Sequence, residues 1–373
     1  MLGVVVVCVA LGACGGEQAA RAPAPDGPRL TPGLARTLDA RFRAEVIDAG
    51  IPGASAAIVF PDGREWTSAV GSAVLHPPSP MTARTSISFD SVTKVATAAL
   101  GLRLVEQGRL RLDDRISRWY PAWRGDVRAT LRDLLGHTSG LGDPADRYFL
   151  GMLRHPRRAV TPADALAATP PPGPRTREAV YSNTGFILAG VILGRAAGES
   201  VASAMRRELF RAPGGDGLAM QPAERPRAPR AHGYFFPRGG ATPTDVSDSA
   251  PYIPSRAWAG GTSTAGALAG DVPSLARWGH ALLGGHILEP ASLHEMTRFR
   301  RGADGTGYGL GLALSSIDRQ PMWGHDGDGL GTHTEFWHLP RANLSIAISW
   351  NDDELSDRAP FLATLLRAAL GTR

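Results

Sequence analysis

Residues 86–94 read Ser-Ile-Ser-Phe-Asp-Ser-Val-Thr-Lys. The first four residues are predicted to be extended, and a helix is predicted to begin at Asp90-Ser91 and to run toward Gly108. Residues three apart lie on one face of a helix, so the amine of Lys94 can meet the hydroxyl of Ser91. A free serine is a poor nucleophile and needs a base, and a desolvated lysine near a helix N-terminus can be neutral enough to serve. The stretch therefore predicts a serine nucleophile with a lysine base.

Composition strengthens the prediction for the lysine. The chain has 373 residues, 40 of them Lys or Arg, and Lys94 is its only lysine. Arginine stands wherever a generic cation suffices. Lysine can lose its proton when it is desolvated, whereas arginine in practice cannot. A single lysine among many arginines indicates a position that needs the amine itself, although a leftover surface lysine is the alternative.

Two further segments carry residues suited to acyl chemistry. Tyr181-Ser182-Asn183 precedes an apolar run, and a phenol beside a cation can relay a proton while an amide orients a ligand. His325-Asp326-Gly327 ends a predicted strand, where glycine allows close approach of a substrate. Taken alone, each segment is equally typical of an ordinary loop–helix junction or a glycine-rich turn.

In the order Ser-x-x-Lys, Tyr-x-Asn, His-x-Gly, these segments resemble the serine β-lactamase and DD-peptidase (penicillin-binding-protein-like) family. Among its members, class C β-lactamases, DD-carboxypeptidases and family VIII esterases are the most similar branch. Four more segments match that branch, namely Leu134–Leu141, Tyr181–Gly194, Gly260–Thr264 and Tyr308–Gly311 with Gly324–Gly327. Joint occurrence in order is a strong signal. The resemblance spans roughly residues 34–350 and implies an α+β fold, in which an antiparallel sheet flanked by helices carries an all-helical insertion, with the active site between them.

The resemblance also implies roles for individual residues. Ser91 attacks a carbonyl and becomes acylated, while Lys94 takes its proton or keeps Tyr181 ionised enough to do so. Tyr181 hands a proton to the leaving group, and Asn183 positions Lys94 and the substrate. The backbone N–H groups of Ser91 and Asp328 form the oxyanion hole. Water then releases the acyl group.

His325 and Gly327 are expected to bind and orient the substrate. Here the sequence departs from the Lys-Thr-Gly of strict β-lactamases, because histidine is a weaker, pH-dependent cation. This difference favours a DD-peptidase, an esterase or a D-amino-acid amidase over an efficient β-lactamase, and leaves weak β-lactamase activity open. We interpret His137 and Ser139 as capping and loop-packing residues beside the site.

The protein is predicted to be exported and anchored to a membrane by a lipid at its N-terminus. Residues 1–13 form a signal peptide of the lipoprotein type, with an apolar core that is too short to span a membrane. It ends at Cys14, the expected lipidation site. A Gly/Ala/Pro-rich tether follows at 14–33, and the hydrolase domain occupies 34–373, with a mixed α/β part at about 34–90 and 255–373 and a helical part at about 91–254. The expected location is the periplasmic or extracellular face of the cell envelope.

Other functions are less compatible with the sequence. The main alternative is a catalytically silent scaffold or binding protein of the cell envelope on the same fold. A pyridoxal-phosphate enzyme would use the lone lysine, but no phosphate cradle is visible, and no Gly-Lys-Ser/Thr P-loop or His-Glu-x-x-His metal motif occurs. The net charge of +5 comes from dispersed arginines without a nucleic-acid footprint. We therefore expect no cofactor, no metal and no nucleic acid, a monomer, and a small-molecule or peptidoglycan-type peptide substrate.

Overall fold

The structure is a computed structural model that describes residues 27–227, 229–236, 242–247, 251–301, 307–352 and 359–372. The predicted signal peptide, Cys14 and residues 15–26 of the predicted tether lie outside this range. The first helix begins at Pro32, two residues before the predicted start of the domain, and the side chain of Thr31 caps it by accepting the N–H of Leu34.

Helices and strands come in runs along the chain, with strands near the start, a run of helices in the middle and strands again near the end. The helices are α1 Pro32–Asp48, α2 Thr93–Glu106, α3 Ile116–Trp119, α4 Leu131–Leu135, α5 Asp146–Arg154, α6 Pro162–Ala168, α7 Asn183–Ala197, α8 Val201–Glu208, α9 Arg256–Thr262, α10 Val272–Leu283, α11 Pro290–Met296 and α12 Ala359–Leu370. The strands are β1 Gly53–Val59, β2 Glu65–Val74, β3 Ser79–Pro80, β4 Ser86–Ser88, β5 Leu218–Met220, β6 Tyr234–Phe235, β7 Thr244–Asp245, β8 Leu268–Asp271, β9 Arg300–Arg301, β10 Gly307–Tyr308, β11 Ala313–Ile317, β12 Gln320–Asp328, β13 His333–Leu339 and β14 Leu344–Trp350.

Nine strands form one antiparallel sheet in the order β3-β2-β1-β14-β13-β12-β11-β10-β9. Both its faces are covered: α1 and α12 pack on one face, and α10 packs on the other. Every residue of β1 and β14 is therefore buried, which explains why both strands are apolar or small along their full length.

The second layer is built on α2 and α7, which pack against each other beneath the site. Ten of the fifteen residues of α7 are buried, as the apolar run in its sequence predicts. A separate three-stranded sheet, β4-β8-β5, lies where the helices meet the large sheet. The predicted α+β fold is confirmed.

The region predicted to be all-helical, 91–254, is helical up to Glu208 and then departs from the prediction. Strands β5, β6 and β7 follow, and β5 pairs with β8. This is the Pro-, Arg- and Gly-rich part of the sequence, where neither helical nor strand periodicity is visible.

Residues 307–317 form two short strands, β10 and β11, and not one continuous strand. The break is set by Gly311, which has a φ of +65° and donates its N–H to the carbonyl of Leu135. A Cβ at Gly311 would lie 2.5 Å from the carbonyl oxygen of Lys94, so only glycine permits this approach to α2. The break brings Tyr308 toward the site.

Within the described ranges, no single helix is long and apolar enough to cross a membrane. Together, α7 and α8 reach that limit by length and composition, but they are bent by 74° at their junction.

Candidate active site

Ser91 lies in one 3₁₀ turn, Asp90–Val92, between β4 and α2. Asp90 adopts a φ of +45°, a conformation that aspartate tolerates better than most residues. Its buried carboxylate accepts hydrogen bonds from the hydroxyls of Ser88 and Thr332, each at 3.0 Å, and from the indole of Trp258 at 3.1 Å. Burial raises the pKa of Asp90 to about 6. These bonds fix the turn that carries Ser91.

Lys94, in the first turn of α2, is fully buried. Its Nζ lies 2.9 Å from Ser91 Oγ, 2.8 Å from Asn183 Oδ1 and 2.9 Å from the carbonyl oxygen of Ala265. Desolvation lowers its pKa from 10.5 to about 7, and the nearby carboxylates of Asp143, Asp326 and Asp90 oppose a larger shift. Near neutral pH, a large fraction of the amine is therefore uncharged.

The three oxygen partners of Lys94 suit an ammonium, which donates to all of them, and they also suit a neutral amine. Such an amine has two N–H donors and one lone pair. The oxygens of Asn183 and Ala265 can only accept, so they take the two donors. The lone pair then faces Ser91 Oγ, and the serine hydroxyl can donate its proton to it. This arrangement is the one needed to activate a nucleophile.

Tyr181 contacts the same serine from the other side. Its hydroxyl donates to Ser91 Oγ at 2.7 Å, and Lys94 Nζ lies 4.7 Å from the centre of its ring. Although 38% of the residue surface is exposed, desolvation raises the pKa of Tyr181 well above 10. Tyr181 is therefore a neutral phenol near pH 7, and Lys94 is the group suited to accept the proton of Ser91.

Asn183 begins α7 and is oriented by Asp143, a residue that no sequence motif marks. Its Nδ2 donates to Asp143 Oδ2 at 2.8 Å, which turns its Oδ1 toward Lys94. The other carboxylate oxygen, Asp143 Oδ1, accepts the N–H of Thr184 at 2.9 Å and the hydroxyl of Ser182 at 3.3 Å. Asp143 thereby fixes which end of the Asn183 amide faces the lysine.

The third predicted segment lies on β12. His325 is 2% exposed, and its ring packs 6.0 Å from that of Tyr181 and 6.1 Å from that of Tyr308, measured between centroids. Its Nδ1 lies 2.5 Å from the carbonyl oxygen of Asp326 and is therefore the protonated nitrogen. Desolvation lowers the pKa of His325 below 6.5, so the ring is neutral near pH 7.

Gly327 and Asp328 bring the end of β12 beside the nucleophile. A Cβ at Gly327 would lie 2.2 Å from the carbonyl oxygen of Phe89 and 3.1 Å from the backbone nitrogen of Ser91, so this approach requires glycine. Asp328 and Ser91 line the same cavity. The structure thus brings together Ser91 and Asp328, whose backbone N–H groups are predicted to form the oxyanion hole.

His137 stands behind Tyr181. The two rings stack with centroids 4.6 Å apart, and His137 Nδ1 accepts the N–H of Ser182 at 3.1 Å. Burial lowers the pKa of His137 well below 6.5. Its position agrees with the interpretation of His137 as a packing residue, and the contact orients the phenol.

A cavity of about 510 Å³, including its open mouth, lies beside Ser91. Tyr148 and Phe149 of α5 and Trp258 of α9 form its aromatic wall, while Ser91 and Asn183 lie at the edge facing the lysine. No sequence motif marks this wall, because α5 and α9 are far apart in the chain and their aromatic side chains come together only in the fold.

A serine in hydrogen-bond contact with a buried lysine and a tyrosine, between an antiparallel sheet and a helical layer, defines a serine hydrolase of the β-lactamase and transpeptidase fold. The sequence model of the Beta-lactamase family matches residues 38–371, and the chain belongs to that family.

Individual relatives agree with this assignment. Penicillin-binding protein 4 of Amycolatopsis lactamdurans is 30% identical over 349 residues, which cover 89% of this chain and 88% of that protein. Esterase EstB of Burkholderia gladioli is 36% identical over 115 residues, 29% of each chain. The crystal structure of a D-stereospecific amidohydrolase from a Streptomyces species superposes with a TM-score of 0.75 at 26% identity, covering 91% of this chain and 99% of that one. Penicillin-binding, esterase and amidohydrolase proteins thus share this fold.

Proposed function

We propose that this serine hydrolase cleaves an ester or amide through an acyl-enzyme on Ser91. One observation carries the proposal: Lys94 Nζ lies among Ser91 Oγ, Asn183 Oδ1 and the carbonyl of Ala265, so that in the neutral amine the lone pair is directed at the serine hydroxyl. The depressed pKa of Lys94 supports it, since a charged amine could not take a proton.

In the acylation step, Ser91 Oγ bonds to the substrate carbonyl carbon while its proton passes to Lys94 Nζ. The carbonyl oxygen becomes an oxyanion near the backbone N–H groups of Ser91 and Asp328. As the bond to the leaving group breaks, that group takes a proton from the Tyr181 hydroxyl, and protonated Lys94 then passes its proton directly to the Tyr181 oxygen, which lies on the other side of Ser91 Oγ. The contacts that Tyr181 and Lys94 both make with Ser91 Oγ support this path.

Hydrolysis of the acyl-enzyme reverses the roles. Lys94, neutral again, accepts a proton from the attacking water, and Ser91 leaves with that proton. Substrate binding and release through a covalent intermediate give ping-pong kinetics.

The residues around His325 favour a substrate that carries no negative charge beside the scissile bond. A substrate carboxylate there needs a permanent cation, but His325 is buried and uncharged near neutral pH. Asp326 and Asp328 add exposed carboxylates, with 47% and 59% of their side chains accessible. We therefore propose a peptidase, esterase or amidase that acts on small molecules or peptidoglycan-type peptides at bonds with no free carboxylate beside them, with at most weak activity on lactams.

We further propose that the protein acts as an exported monomer, tethered to the envelope membrane by lipid on Cys14. The apolar run before Cys14 and the Gly/Ala/Pro-rich segment after it support this. Intact mass and membrane fractionation of the full chain, beside Cys14→Ala, test the anchor. We expect a lipid-sized mass increment and membrane association that the variant loses; identical masses and soluble fractions would contradict it.

The enzymatic test compares the full-length protein, purified in detergent, with Ser91→Ala on p-nitrophenyl butyrate. We expect steady hydrolysis and an acyl adduct on Ser91 in the parent, both lost in the variant. Ser139→Ala is the matched control: this serine is buried nearby, and among the described residues its Oγ accepts a hydrogen bond from a backbone N–H in its own loop and none from the catalytic residues, so activity should persist. If neither turnover nor an adduct on Ser91 is found with esters or amides, the catalytically silent scaffold becomes the better explanation.

A further inference from the structure

The residues that line the cavity beside Ser91 indicate which kind of chemical group it binds. Its aromatic wall consists of Tyr148, Phe149 and Trp258, with ring centroids 5.5 Å apart for the first pair and 6.2 Å for Phe149 and Trp258. Ile187 and Pro144 add aliphatic surface. Polar groups are added to the lining by Ser91, Asn183, Thr262 and Asp328. Apolar walls beside such placed polar groups are typical of small-molecule sites.

A hydrogen bond links the side chain of Trp258 to the turn that carries the nucleophile Ser91. Its indole N–H donates to Asp90 Oδ1 at 3.1 Å, and Asp90 directly precedes Ser91 in the catalytic turn. The backbone of Trp258 is fixed as well, because its N–H donates to the Ser255 hydroxyl and its carbonyl accepts the Thr262 hydroxyl. The indole bond to Asp90 therefore links this wall to the turn of the reacting serine, and the other two bonds fix Trp258 within α9.

The cavity lies on one defined side of Ser91. Ser91, Asn183 and Asp328 line it, whereas Tyr181 is not among its lining residues. Under the proposed function, Tyr181 protonates the leaving group, so the leaving group lies on the Tyr181 side. The acyl part of the substrate then extends to the opposite side, into the cavity.

We infer, resting on the proposed function, that this cavity binds the acyl part of the substrate and selects acyl groups that carry a bulky, ring-sized apolar side chain, with Trp258 and Phe149 as the specificity-determining residues. Burying a ring against these side chains removes apolar surface from water and allows the offset ring contacts that aromatic groups prefer. The bonds that form and break are those of the acylation step above.

The test varies only the acyl group. Full-length protein is assayed with p-nitrophenyl acetate and p-nitrophenyl phenylacetate, which share a leaving group, and kcat/KM reports acylation of Ser91. We expect the parent to prefer the phenylacetate by about tenfold or more, the range in which hydrophobic pockets discriminate. In Trp258→Ala and Phe149→Ala this preference should fall by about tenfold, because the ring contacts are lost.

Two substitutions outside the cavity serve as matched controls. Trp119 is also partly buried and also donates its indole N–H to an aspartate, Asp114, at 3.1 Å, and Phe235 is an exposed phenylalanine. The preference should be unchanged in Trp119→Ala and Phe235→Ala. Trp258→Phe, which keeps a ring but loses the bond to Asp90, should retain most of the preference.

The outcomes separate this inference from the proposed function. If the parent turns over both esters through Ser91 but shows no preference for the phenylacetate, or if both alanine variants keep the parent preference, the inference is overturned. It is also overturned if Trp258→Phe loses turnover of both esters alike while remaining folded, because Trp258 then acts through the catalytic turn. A parent that hydrolyses neither ester and shows no acyl adduct on Ser91 contradicts the proposed function itself.

Discussion

The two sides of Tyr181 are held in different ways. On the lysine side, directional hydrogen bonds connect Lys94 to Ser91 and Asn183, and Asn183 to Asp143. On the histidine side, rings of His137, Tyr308 and His325 pack around the phenol with centroids 4.6–6.1 Å apart. Hydrogen bonds depend on atom type and angle, whereas packing depends on shape. The lysine side should therefore tolerate no change of chemistry, and the histidine side should tolerate changes that preserve shape.

The largest effect is expected for Lys94→Arg. The variant keeps a cation but loses the base, because arginine does not give up its proton in proteins. We expect kcat/KM with p-nitrophenyl butyrate to fall by about a thousandfold, within the range of general-base contributions. A thermal unfolding midpoint close to that of the parent would show that the fold is retained. Activity within a few-fold of the parent would remove Lys94 from the proposed mechanism.

A smaller loss is expected for Asp143→Ala. Without this carboxylate the Asn183 amide is free to rotate, so we expect kcat to fall by about thirtyfold with little change in KM, as for other misplaced catalytic groups. The negative charge of Asp143 also raises the pKa of Lys94. The acidic limb of the pH profile should therefore move to lower pH in the variant.

Asp146→Ala is the control for that experiment. Asp146 lies three residues further on, at the exposed start of α5, and contributes no side-chain contact to the site. If the pH profile of Asp143→Ala is unchanged and equals that of Asp146→Ala, then Asp143 stabilises its loop and does not affect the pKa of Lys94.

The pH dependence of acylation should follow Lys94. The amine is the base when it is neutral, and its neutral fraction rises as pH increases through the pKa of about 7. We expect kcat/KM to rise about tenfold between pH 6 and pH 8 and then to level off. A limb that instead centres near the ordinary lysine value would mean that the amine stays charged and that another group takes the proton.

The smallest effect is expected for His325→Phe. A phenyl ring fills similar space against Tyr181 and Tyr308, so we expect kcat/KM to fall by no more than about threefold. The acidic limb should also stay in place, since we assign it to Lys94 and burial lowers the pKa of His325. A hundredfold loss of kcat/KM, or disappearance of the acidic limb, would show that the His325 imidazole takes part in the reaction. The histidine side would then not be held by packing alone.

The parts of this molecule that were predictable from sequence are those whose signal is local. The three-residue spacing of Ser91 and Lys94 places both on one helical face, and the structure sets Nζ 2.9 Å from Oγ. The apolar run that begins at Phe186 predicts the buried α7. Pattern and spacing are sufficient where the partners are close in the chain.

The parts that were missed depend on contacts between distant segments. Asp143 acts on Asn183 forty residues away, and Trp258 bonds to Asp90 across 168 residues. No sequence pattern marks Asp143 or Asp90 for these roles, because each role depends on where another element lies in the fold. The same holds for Gly311, whose need for a left-handed φ arises from its approach to Lys94.

The burial of the only lysine has a spectroscopic consequence. Protein grown with isotopically labelled lysine carries a single labelled ε-amine, at Lys94. Its NMR signal needs no assignment, and the chemical shift of that one resonance followed against pH reports the protonation of the catalytic base directly. Each substrate, inhibitor or substitution that alters the electrostatics around Ser91 can then be observed at one atom, in an enzyme of 373 residues.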